Sequence, residues 1–522
     1  MDVYDYVVIG SGFGGSVSAL RLSEKGYKVL VIEKGKHYKP EDFPRSNWNL
    51  RKWLWLPSLR FFGFFKLTFF RHIGVLSGVG VGGGSLVYAN TLPRPDKAFF
   101  TSGNWAGLDN WEESMEPFYS VAEKMLGVRA NPELFDSDSA LQKLSARMGL
   151  KQEARPTNVA VFFGEENKKS PDPYFGGLGP DRSGCTFCGG CMTGCRHDAK
   201  NTLDKNYLHL AVKKGARILA ENRVTDILPL GSPDGDGGYA VTFRRSTGII
   251  FSRKRKVKTM GVVFSGGVLG TVRLLLDLRR KSLPGLSSQA GNFIRTNNES
   301  LILVTTSDKS KDMSRGIAIG SITRVDEFSH MEAVRYGSGS GFWKLLGVPL
   351  TFGNNIFTRI MKLLWKLISR PAVFLGIYFT RDFAKESVIL LFMQHLDSVL
   401  RFRRGLFNMA SSVTSGNPPT AFMPYAKNLA EEMGKILKGH QYVLATEAIT
   451  GIPTTAHILG GAVIGQGPED SVIDKDQKVF GYKNMLVCDG SAISANPGVN
   501  PSLTITAMAE RAMSKIPVKS GK

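Results

Sequence analysis

The chain has 522 residues, of which 42% are apolar and 21% charged, so its composition is that of a globular protein with roughly two or three domains. Its formal net charge is +22, but many of its basic residues are interleaved with Phe, Leu and Trp, which argues against nucleic-acid binding. No uncharged apolar run approaches the roughly 20 residues that span a bilayer. Met1 leads directly into the apolar "YDYVVIG", so we expect a cytoplasmic protein without a targeting segment.

The first predicted elements are a strand, a glycine-rich turn and a helix. Gly10-x-Gly12-x-x-Gly15 follows "YVVIG" and precedes "SVSALRLSEKG", and in this context the glycines permit a tight turn and the close approach of a pyrophosphate. Glu33 ends the next apolar strand, where its carboxylate is suited to accept hydrogen bonds from ribose hydroxyls. The segment therefore predicts a Rossmann-like unit that binds an adenine dinucleotide.

Two basic segments contain many apolar residues and no acid. Residues 51–72 hold five Lys or Arg, and residues 341–381 hold six. Both indicate contact with an anionic membrane surface or the lining of an apolar groove.

Residues 356–370, "IFTRIMKLLWKLISR", predict an amphipathic helix with basic residues along one face, namely Arg359, Lys362, Lys366 and Arg370. One interpretation is a helix that lies on a membrane with its cations on anionic headgroups. The other is a helix that packs on the core and has a solvated basic edge. We favour the first, which makes the protein peripheral at the inner membrane surface.

Three further segments have the composition of cofactor-binding turns. "GVGVGGGSLVYAN" at 78–90 is a second glycine-rich loop, "MGVVFSGGVLGTVRLLLDL" near residue 260 resembles a strand followed by a helix, and "MLVCDGSAISANPGVN" contains an Asp-Gly turn. Segments spread so widely along the chain suit FAD in an extended pose better than NAD in one compact domain.

The loop "CTFCGGCMTGC" holds four of the five cysteines, Cys185, Cys188, Cys191 and Cys195. Their spacing suits four thiolates around a [4Fe–4S] cluster, although Arg196 stands where ferredoxins usually have Pro and a second cysteine set is absent from the sequence. Zinc held by four thiolates and a loop of buried thiols without metal, or with disulfides, are the alternatives. The sequence leaves all three open.

These motifs together resemble the glucose–methanol–choline (GMC) oxidoreductases, and within them a bacterial cholesterol oxidase-like branch that carries a four-cysteine loop. The resemblance covers essentially the whole chain. It rests on "VVIGSGFGGSVSALRLSEKGY", "GVGGGSLVYANTL", "GCMTGCRHDAKNTLDKNYL", "AHILGGAVIG" and "DGSAISANPGVNPSLTITAMAERA".

The resemblance implies an α/β fold, α+β overall, in which a Rossmann-like FAD-binding domain joins a substrate domain built on a mostly antiparallel sheet. We expect the FAD-binding domain in three parts, 1–100, 201–295 and 456–522, the last of which holds the active-site His and Asn. A substrate-domain insertion with the cysteine loop then occupies 101–200, and the substrate domain with its basic aromatic segment occupies 296–455.

The resemblance also implies the catalytic residues. The family's catalytic His falls on His457 and its Asn on Asn500. An imidazole titrates near neutral pH and suits a base that takes the hydroxyl proton, while an amide can hold the substrate oxygen without adding charge. The alternatives are a structural His and an Asn that only forms a turn. Glu386 is the nearest candidate for the carboxylate that isomerises a steroid double bond in some relatives, and an ordinary charged strand edge is the alternative.

The cofactor implied is noncovalent FAD. We expect the first glycine loop and Glu33 to hold its ADP half, the second glycine loop to reach the flavin side, and the C-terminal turn to contact the pyrophosphate and ribityl groups. The expected contacts are Gly10, Gly12, Phe13, Gly14, Gly15, Glu33, Gly84, Asn90, Val224, Asp489, Gly490 and Asn500.

The resemblance favours an FAD-dependent oxidase that converts a secondary alcohol to a ketone, above all the 3β-hydroxyl of cholesterol or a related sterol. Its partners are then the apolar alcohol, O2 or an electron carrier, and an anionic membrane. One alternative is an FAD/iron–sulfur alcohol dehydrogenase that passes electrons to a carrier or quinone. The other is a nicotinamide-dependent reductase or a simple dinucleotide-binding module.

Overall fold

Two large sheets organise the residues described by the structure, a computed structural model that covers 2–248, 252–395, 398–405 and 408–520. The strands of the first sheet come from the N-terminal, middle and C-terminal parts of the chain, whereas most strands of the second lie between residues 300 and 444. The predicted combination of a Rossmann-like unit and a mostly antiparallel sheet is confirmed. The exact five-part division of the chain stays a prediction.

The first sheet has a parallel centre. Val3–Ile9 pairs in parallel with Val29–Ile32 on one side and with Arg255–Phe264 on the other. Its last four residues are buried because neighbouring elements cover both faces. Helices Phe13–Glu24 and Ser502–Ser514 pack against each other beside it. In spatial order the strands are Arg217–Leu219, Val29–Ile32, Val3–Ile9, Arg255–Phe264, Tyr239–Arg245 and Asn222–Pro229, with Met485–Val487 also paired to Arg255–Phe264.

The second sheet is antiparallel at every pairing. Its central strands alternate between residues that face a helical layer and residues of the opposite face, which pack against Ala89 and Met192. Helices Asp136–Met148 and Pro424–Leu437 cover the first of these faces. In spatial order the strands are Gly347–Pro349, Gln441–Leu444, Ser300–Thr305, Ser387–Gln394, Ser329–Val334, Ile319–Arg324 and Arg155–Pro156.

Shorter elements connect these layers. Phe65–Phe69, Gly74–Gly78 and Thr454–Thr455 form a small sheet that leads the chain into His457. The remaining strand pairs are Trp55–Leu56 with Phe61–Phe62, Arg129–Ala130 with Asn158–Val159, Lys169–Ser170 with Arg182–Ser183, and Val399–Arg404 with Met409–Ser415. The remaining helices are Leu50–Trp53, Lys97–Thr101, Trp111–Leu126, Tyr207–Lys213, Gly267–Arg279, Ile356–Ser369, Pro371–Gly376 and Ala445–Thr450.

Within the described ranges, every helix is too short or too polar to span a membrane.

Candidate active site

A cavity of about 850 Å³ runs from the first glycine loop to the second sheet. One end is a groove between the first glycine loop and the turn at residues 266–270. The other end is an apolar chamber lined by residues of the second sheet, among them Leu301, Leu303, Ile319, Val334, Ile389 and Leu391. A polar groove that opens into an apolar chamber suits a dinucleotide cofactor beside an apolar substrate.

The four glycines of the first loop have different roles. A Cβ on Gly10 would lie 2.3 Å from the nearest backbone oxygen, one on Gly14 would lie 1.5 Å from such an oxygen, and one on Gly15 would lie 2.2 Å away, so these three allow strand and helix to pack closely. A Cβ on Gly12 would meet no protein atom within 4 Å, because Gly12 faces the open groove. Gly12 therefore keeps the groove free for a ligand.

Glu33 is buried at the edge of the groove and holds the glycine loop. Its Oε2 accepts hydrogen bonds from the backbone N–H of Ser11 at 3.1 Å and from the Ser11 hydroxyl at 2.9 Å, and its Oε1 accepts from the N–H of Gly35 at 2.8 Å. A carboxylate offers about four lone-pair sites, so Glu33 retains acceptor capacity for a ribose hydroxyl.

Basic side chains that the sequence analysis did not identify surround this groove. Lys34, Lys66, Arg223 and Arg273 line the cavity. Burial, together with the neighbouring charges of Lys34 and Arg273, lowers the pKa of Lys66 to about 7. Cations held this close together fit an anionic ligand such as a pyrophosphate, which would relieve their mutual repulsion.

Most of the other predicted cofactor contacts also line the cavity, namely Phe13, Gly84, Val224, Asp489, Gly490 and Asn500. Asp489 accepts hydrogen bonds from the backbone N–H of Ser491 at 2.8 Å and from the hydroxyl of Thr271 at 2.5 Å. Burial raises the pKa of Asp489 above its usual value. Asp489 thus ties the C-terminal turn to helix Gly267–Arg279 beside the groove.

Three of the predicted residues do not line this cavity. Gly15 instead packs against the carbonyl oxygen of Gly10. Asn90 is fully buried and lines a separate small cavity formed by the cysteine loop. Glu386 pairs with Lys309 at 2.6 Å and accepts a hydrogen bond from the backbone N–H of Arg381 at 3.2 Å. Glu386 directly precedes the central strand Ser387–Gln394, and its carboxylate already has these partners. Because it does not line the cavity, Glu386 would not contact a substrate bound there.

His457 and Asn500 lie together on the wall of the cavity. The Nδ1 atom of His457 lies 2.7 Å from Oε1 of Glu299, and its Nε2 atom lies 3.4 Å from Nδ2 of Asn500. Thr455 donates its hydroxyl hydrogen to Glu299 at 2.8 Å, and the N–H of Ala456 donates to Glu299 at 3.0 Å. This network fixes the imidazole with Nδ1 on Glu299 and Nε2 toward Asn500.

The electrostatics of the pair favour a basic imidazole. Burial alone would lower the pKa of His457, but the Glu299 carboxylate beside it raises that pKa above its ordinary value. Burial would likewise raise the pKa of Glu299, and the charge and hydrogen bond of His457 hold it below its ordinary value. Glu299 is therefore an ionised partner that stabilises the protonated imidazole.

A second carboxylate, Glu332, adjoins the pair. Its Oε2 lies 3.4 Å from Nδ2 of Asn500, and its side chain is fully buried on strand Ser329–Val334. The Nδ2 atom of Asn500 thus lies between Glu332 and His457. The Oδ1 atom of Asn500 is buried and has no protein partner. Sequence reasoning missed Glu299 and Glu332, since neither lies in a motif and only the strand register brings them to His457.

The four loop cysteines are free thiols that line one small cavity. Among the described residues, no three His, Cys, Asp or Glu side chains are positioned to hold a single metal ion. The zinc alternative is therefore not supported.

Helix Ile356–Ser369 forms as predicted, but its basic face points toward the protein. Arg359 donates to the carbonyls of Ile449 at 3.0 Å and Thr450 at 3.1 Å, and Lys362 donates to the carbonyl of Phe352 at 3.1 Å. Lys366 donates to a further carbonyl in the same segment. The expectation of a basic face free to meet headgroups is therefore not supported for these three cations, because each donates to protein carbonyls, whereas Arg370 is exposed.

The apolar face of this helix is exposed instead. Phe357, Trp365 and Ile368 keep 69%, 68% and 74% of their surface exposed, and Phe379 keeps 81% just beyond the next helix. No residue of Ile356–Ser369 is buried. Leu363 packs half-buried against the core beneath the second sheet, so the alternative of a core-packed helix holds for only a small part of the apolar face.

The sequence of the chain is similar to those of known oxidoreductases. Family models of the GMC oxidoreductases match residues 177–277 and 393–509, and a model of the NAD(P)-binding Rossmann-like domain matches residues 8–38. The chain is 46% identical to a cholesterol oxidase of Acinetobacter baumannii, with 99% of this chain and 95% of that protein aligned. It is 40% identical to a cholesterol oxidase of Mycobacterium tuberculosis, with 99% and 91% aligned.

A solved structure shares the fold at low sequence identity. The crystal structure of pyridoxine 4-oxidase from Mesorbium loti superposes with a TM-score of 0.63 over 98% of each chain, at 15% identity. A similarity at this level of identity supports the fold alone.

Proposed function

The chain belongs to the GMC oxidoreductases, in their cholesterol oxidase-like branch, and we propose that His457 is the base in its oxidation of a sterol alcohol. Relatives at 40% and 46% identity over nearly the whole chain support an FAD-dependent oxidase that converts a sterol alcohol to the ketone with O2 as acceptor. They do not favour the alternatives of an iron–sulfur alcohol dehydrogenase or a nicotinamide-dependent reductase. We propose the 3β-hydroxyl of cholesterol or a related sterol as the reacting group.

The groove fits FAD. Gly12 leaves open space where a pyrophosphate would approach, and Lys34, Lys66, Arg223 and Arg273 offer the positive charge that a pyrophosphate requires. We propose Glu33 and Val224 for the ribose and adenine, and Asp489 and Gly490 for the pyrophosphate and ribityl side. Bound FAD supplies the hydride acceptor of the reaction.

His457 has the geometry of a general base. With its Nδ1 hydrogen directed to Glu299, the Nε2 lone pair faces the cavity and can accept the proton of a hydroxyl held there. As the imidazole becomes positively charged, Glu299 stabilises that charge across 2.7 Å in a buried setting. This pair, at the junction of groove and apolar chamber, is the observation that carries the proposal.

Asn500 positions the substrate oxygen. Its Oδ1 has no protein partner, and its amide lies against Nε2 of His457, so a bound hydroxyl would contact both groups. The apolar chamber then receives the rings and tail of the sterol, whose burial supplies most of the binding free energy.

The test is the variant His457→Ala. We expect the rate of cholesterol oxidation, followed as H2O2 release, to fall by roughly two to four orders of magnitude, while the bound-FAD spectrum stays that of the wild type. His440→Ala is the matched control, since His440 is exposed and does not line the cavity. Near-normal turnover by His457→Ala would contradict the proposal.

We propose further that the exposed apolar face of Ile356–Ser369 docks the enzyme on a lipid bilayer, where its sterol resides. Basic side chains of the helix donate hydrogen bonds to carbonyls of neighbouring segments. Its large apolar side chains are exposed, as in a helix that lies in a membrane interface. Ile377, just after the next helix, packs in one apolar cluster with Trp343 and Leu444, which line the chamber. The segment that follows the two helices therefore packs against the wall of the substrate chamber.

A further inference from the structure

The cysteine loop forms a second cavity that sterol oxidation does not use. Cys185, Cys191 and Cys195 are half-buried on its wall, and Cys188 lies at its exposed edge. The loop packs closely on the neighbouring segment, since a Cβ on Gly189 would lie 2.2 Å from the carbonyl oxygen of Ser314. The N–H of Gly189 also donates to the carbonyl of Gly316 at 2.7 Å. Four thiols thus converge on one prepared space.

Two buried cations beside these thiols lack a negative partner. Lys200 is 1% exposed and donates from Nζ only to carbonyls, those of Cys191 at 2.8 Å, Tyr88 at 2.9 Å and Leu86 at 3.1 Å. Arg182 is 2% exposed, and the hydrogen bonds given for it also go to carbonyl oxygens, including those of Asp198 and Lys200 at 2.8 Å. In the described part of the chain neither cation forms an ion pair, since the nearby carboxylates of Asp198 and Asp204 pair with Lys205.

Two buried positive charges next to four neutral thiols would be costly, because an isolated buried charge is strongly disfavoured. An anionic group bound by the thiolates removes that cost. A [4Fe–4S] centre with its four thiolates carries a net charge of about −2 in its oxidised form, which matches the two cations.

A buried polar side chain that lines the cavity also lacks protein hydrogen-bond partners. Asn90 is fully buried and lines the cavity, yet both its Oδ1 and its Nδ2 lack a protein partner. The backbone N–H of Phe187 donates to Sγ of Cys185 at 3.4 Å, a contact of the kind that stabilises sulfur ligands of a cluster.

We infer that Cys185, Cys188, Cys191 and Cys195 bind a [4Fe–4S] cluster whose charge is balanced by Lys200 and Arg182. Only a thin wall separates this cavity from the active site. Met192, which follows Cys191, lines the large cavity, and so do Tyr88 and Ala89, which precede Asn90. The cluster is a second site of the enzyme, additional to the sterol oxidation proposed above.

The test is the metal content of the FAD-loaded enzyme, expressed with added iron and purified without oxygen. We expect about four iron and four acid-labile sulfide per chain, with an electron paramagnetic resonance signal after reduction by dithionite. Cys191→Ser and Cys185→Ser should each lose most of the iron and sulfide while they retain the flavin spectrum. Cys488→Ala, which removes the buried cysteine outside the loop, should keep both.

Wild-type protein that remains without iron after anaerobic incubation with ferrous iron and sulfide would overturn the inference. Bound zinc in place of iron, or disulfides among the four cysteines by mass spectrometry, would overturn it too. Because iron and sulfide are assayed independently of H2O2 release, these outcomes are distinct from a failure of the sterol oxidase proposal.

Discussion

In the mechanism proposed above, Glu299 orients the imidazole of His457 so that it can act as the base. It accepts hydrogen bonds from Thr455 and Ala456 as well as facing the imidazole, so its own position is held from three sides. Such a carboxylate acts through the histidine: it orients the ring and stabilises its charged form. Glu299 is therefore a positioning residue, and its role should be visible in the pH dependence of the reaction.

We expect Glu299→Gln to lower the rate roughly 10- to 100-fold and to move the acid limb of the kcat/KM profile to lower pH. The base works only when His457 is neutral, so activity falls as the pH drops below its pKa. Glu299 raises that pKa, and its loss therefore lets the imidazole stay neutral to lower pH. Steady-state kinetics across pH, with FAD content monitored, measure both effects.

Glu327→Gln is the control for this prediction. Glu327 is an exposed carboxylate that pairs with Lys151 at 3.1 Å, away from the cavity, so its variant should keep the wild-type profile. A lower rate in Glu299→Gln with an unmoved acid limb would show that Glu299 is only structural.

At the scale of elements, helix Ile356–Ser369 shows that contacts with neighbouring segments determine which face of an amphipathic helix is exposed. The helix begins at the Asn355 cap, whose side chain accepts from the N–H of Thr358 at 2.8 Å. Its basic side then caps carbonyls of the segments beneath it, which leaves the apolar side outward. Binding to lipid should therefore depend more on apolar burial than on surface charge.

We expect the double variant Phe357→Ser/Trp365→Ser to weaken binding to vesicles of phosphatidylcholine, phosphatidylglycerol and cholesterol by at least about tenfold, because each large side chain contributes roughly 1.5–3 kcal/mol when buried. Co-sedimentation measures the effect. Oxidation of cholesterol in vesicles should fall in parallel, while oxidation of a sterol dispersed in detergent stays near the wild-type rate.

Phe328→Ser is the matched control, since Phe328 is 56% exposed in a turn of the second sheet, distant in sequence from the helix. Equal vesicle binding by the double variant and the wild type would contradict the role of the helix. Absence of vesicle binding by the wild-type protein at both low and high salt would contradict it as well.

For the whole molecule, the sequence was informative wherever function depends on local geometry. The turn at Gly12, the strand end at Glu33 and the motifs around His457 each carry their chemistry within a few residues, and all of them line the large cavity. Glu299 escaped prediction because only the folded chain brings it to His457. Asn90 and Glu386 were misjudged for the same reason, since their neighbours in space are remote in sequence.

The FAD groove itself is a property of the whole molecule, since it is built from segments near residues 10, 33, 224, 267 and 489. A ligand that joins such distant segments stabilises only the folded state, by about 2.7 kcal/mol when its concentration is 100 times its Kd. We therefore expect added FAD to raise the unfolding midpoint of the cofactor-free protein by a few degrees.

Two glycine variants separate the fold from the cofactor. Gly12 has φ −71°, and a Cβ there would meet no protein atom within 4 Å, so Gly12→Val should unfold at the same temperature as the cofactor-free wild type. It should not respond to FAD, because the new side chain fills the groove. Gly14→Val should instead lower the midpoint of the cofactor-free protein, because its Cβ would lie 1.5 Å from the carbonyl oxygen of Cys488. The measurement is the unfolding midpoint of the wild type and the two variants, each with and without FAD. If FAD raised the midpoint of Gly12→Val as much as that of the wild type, the pyrophosphate would bind elsewhere.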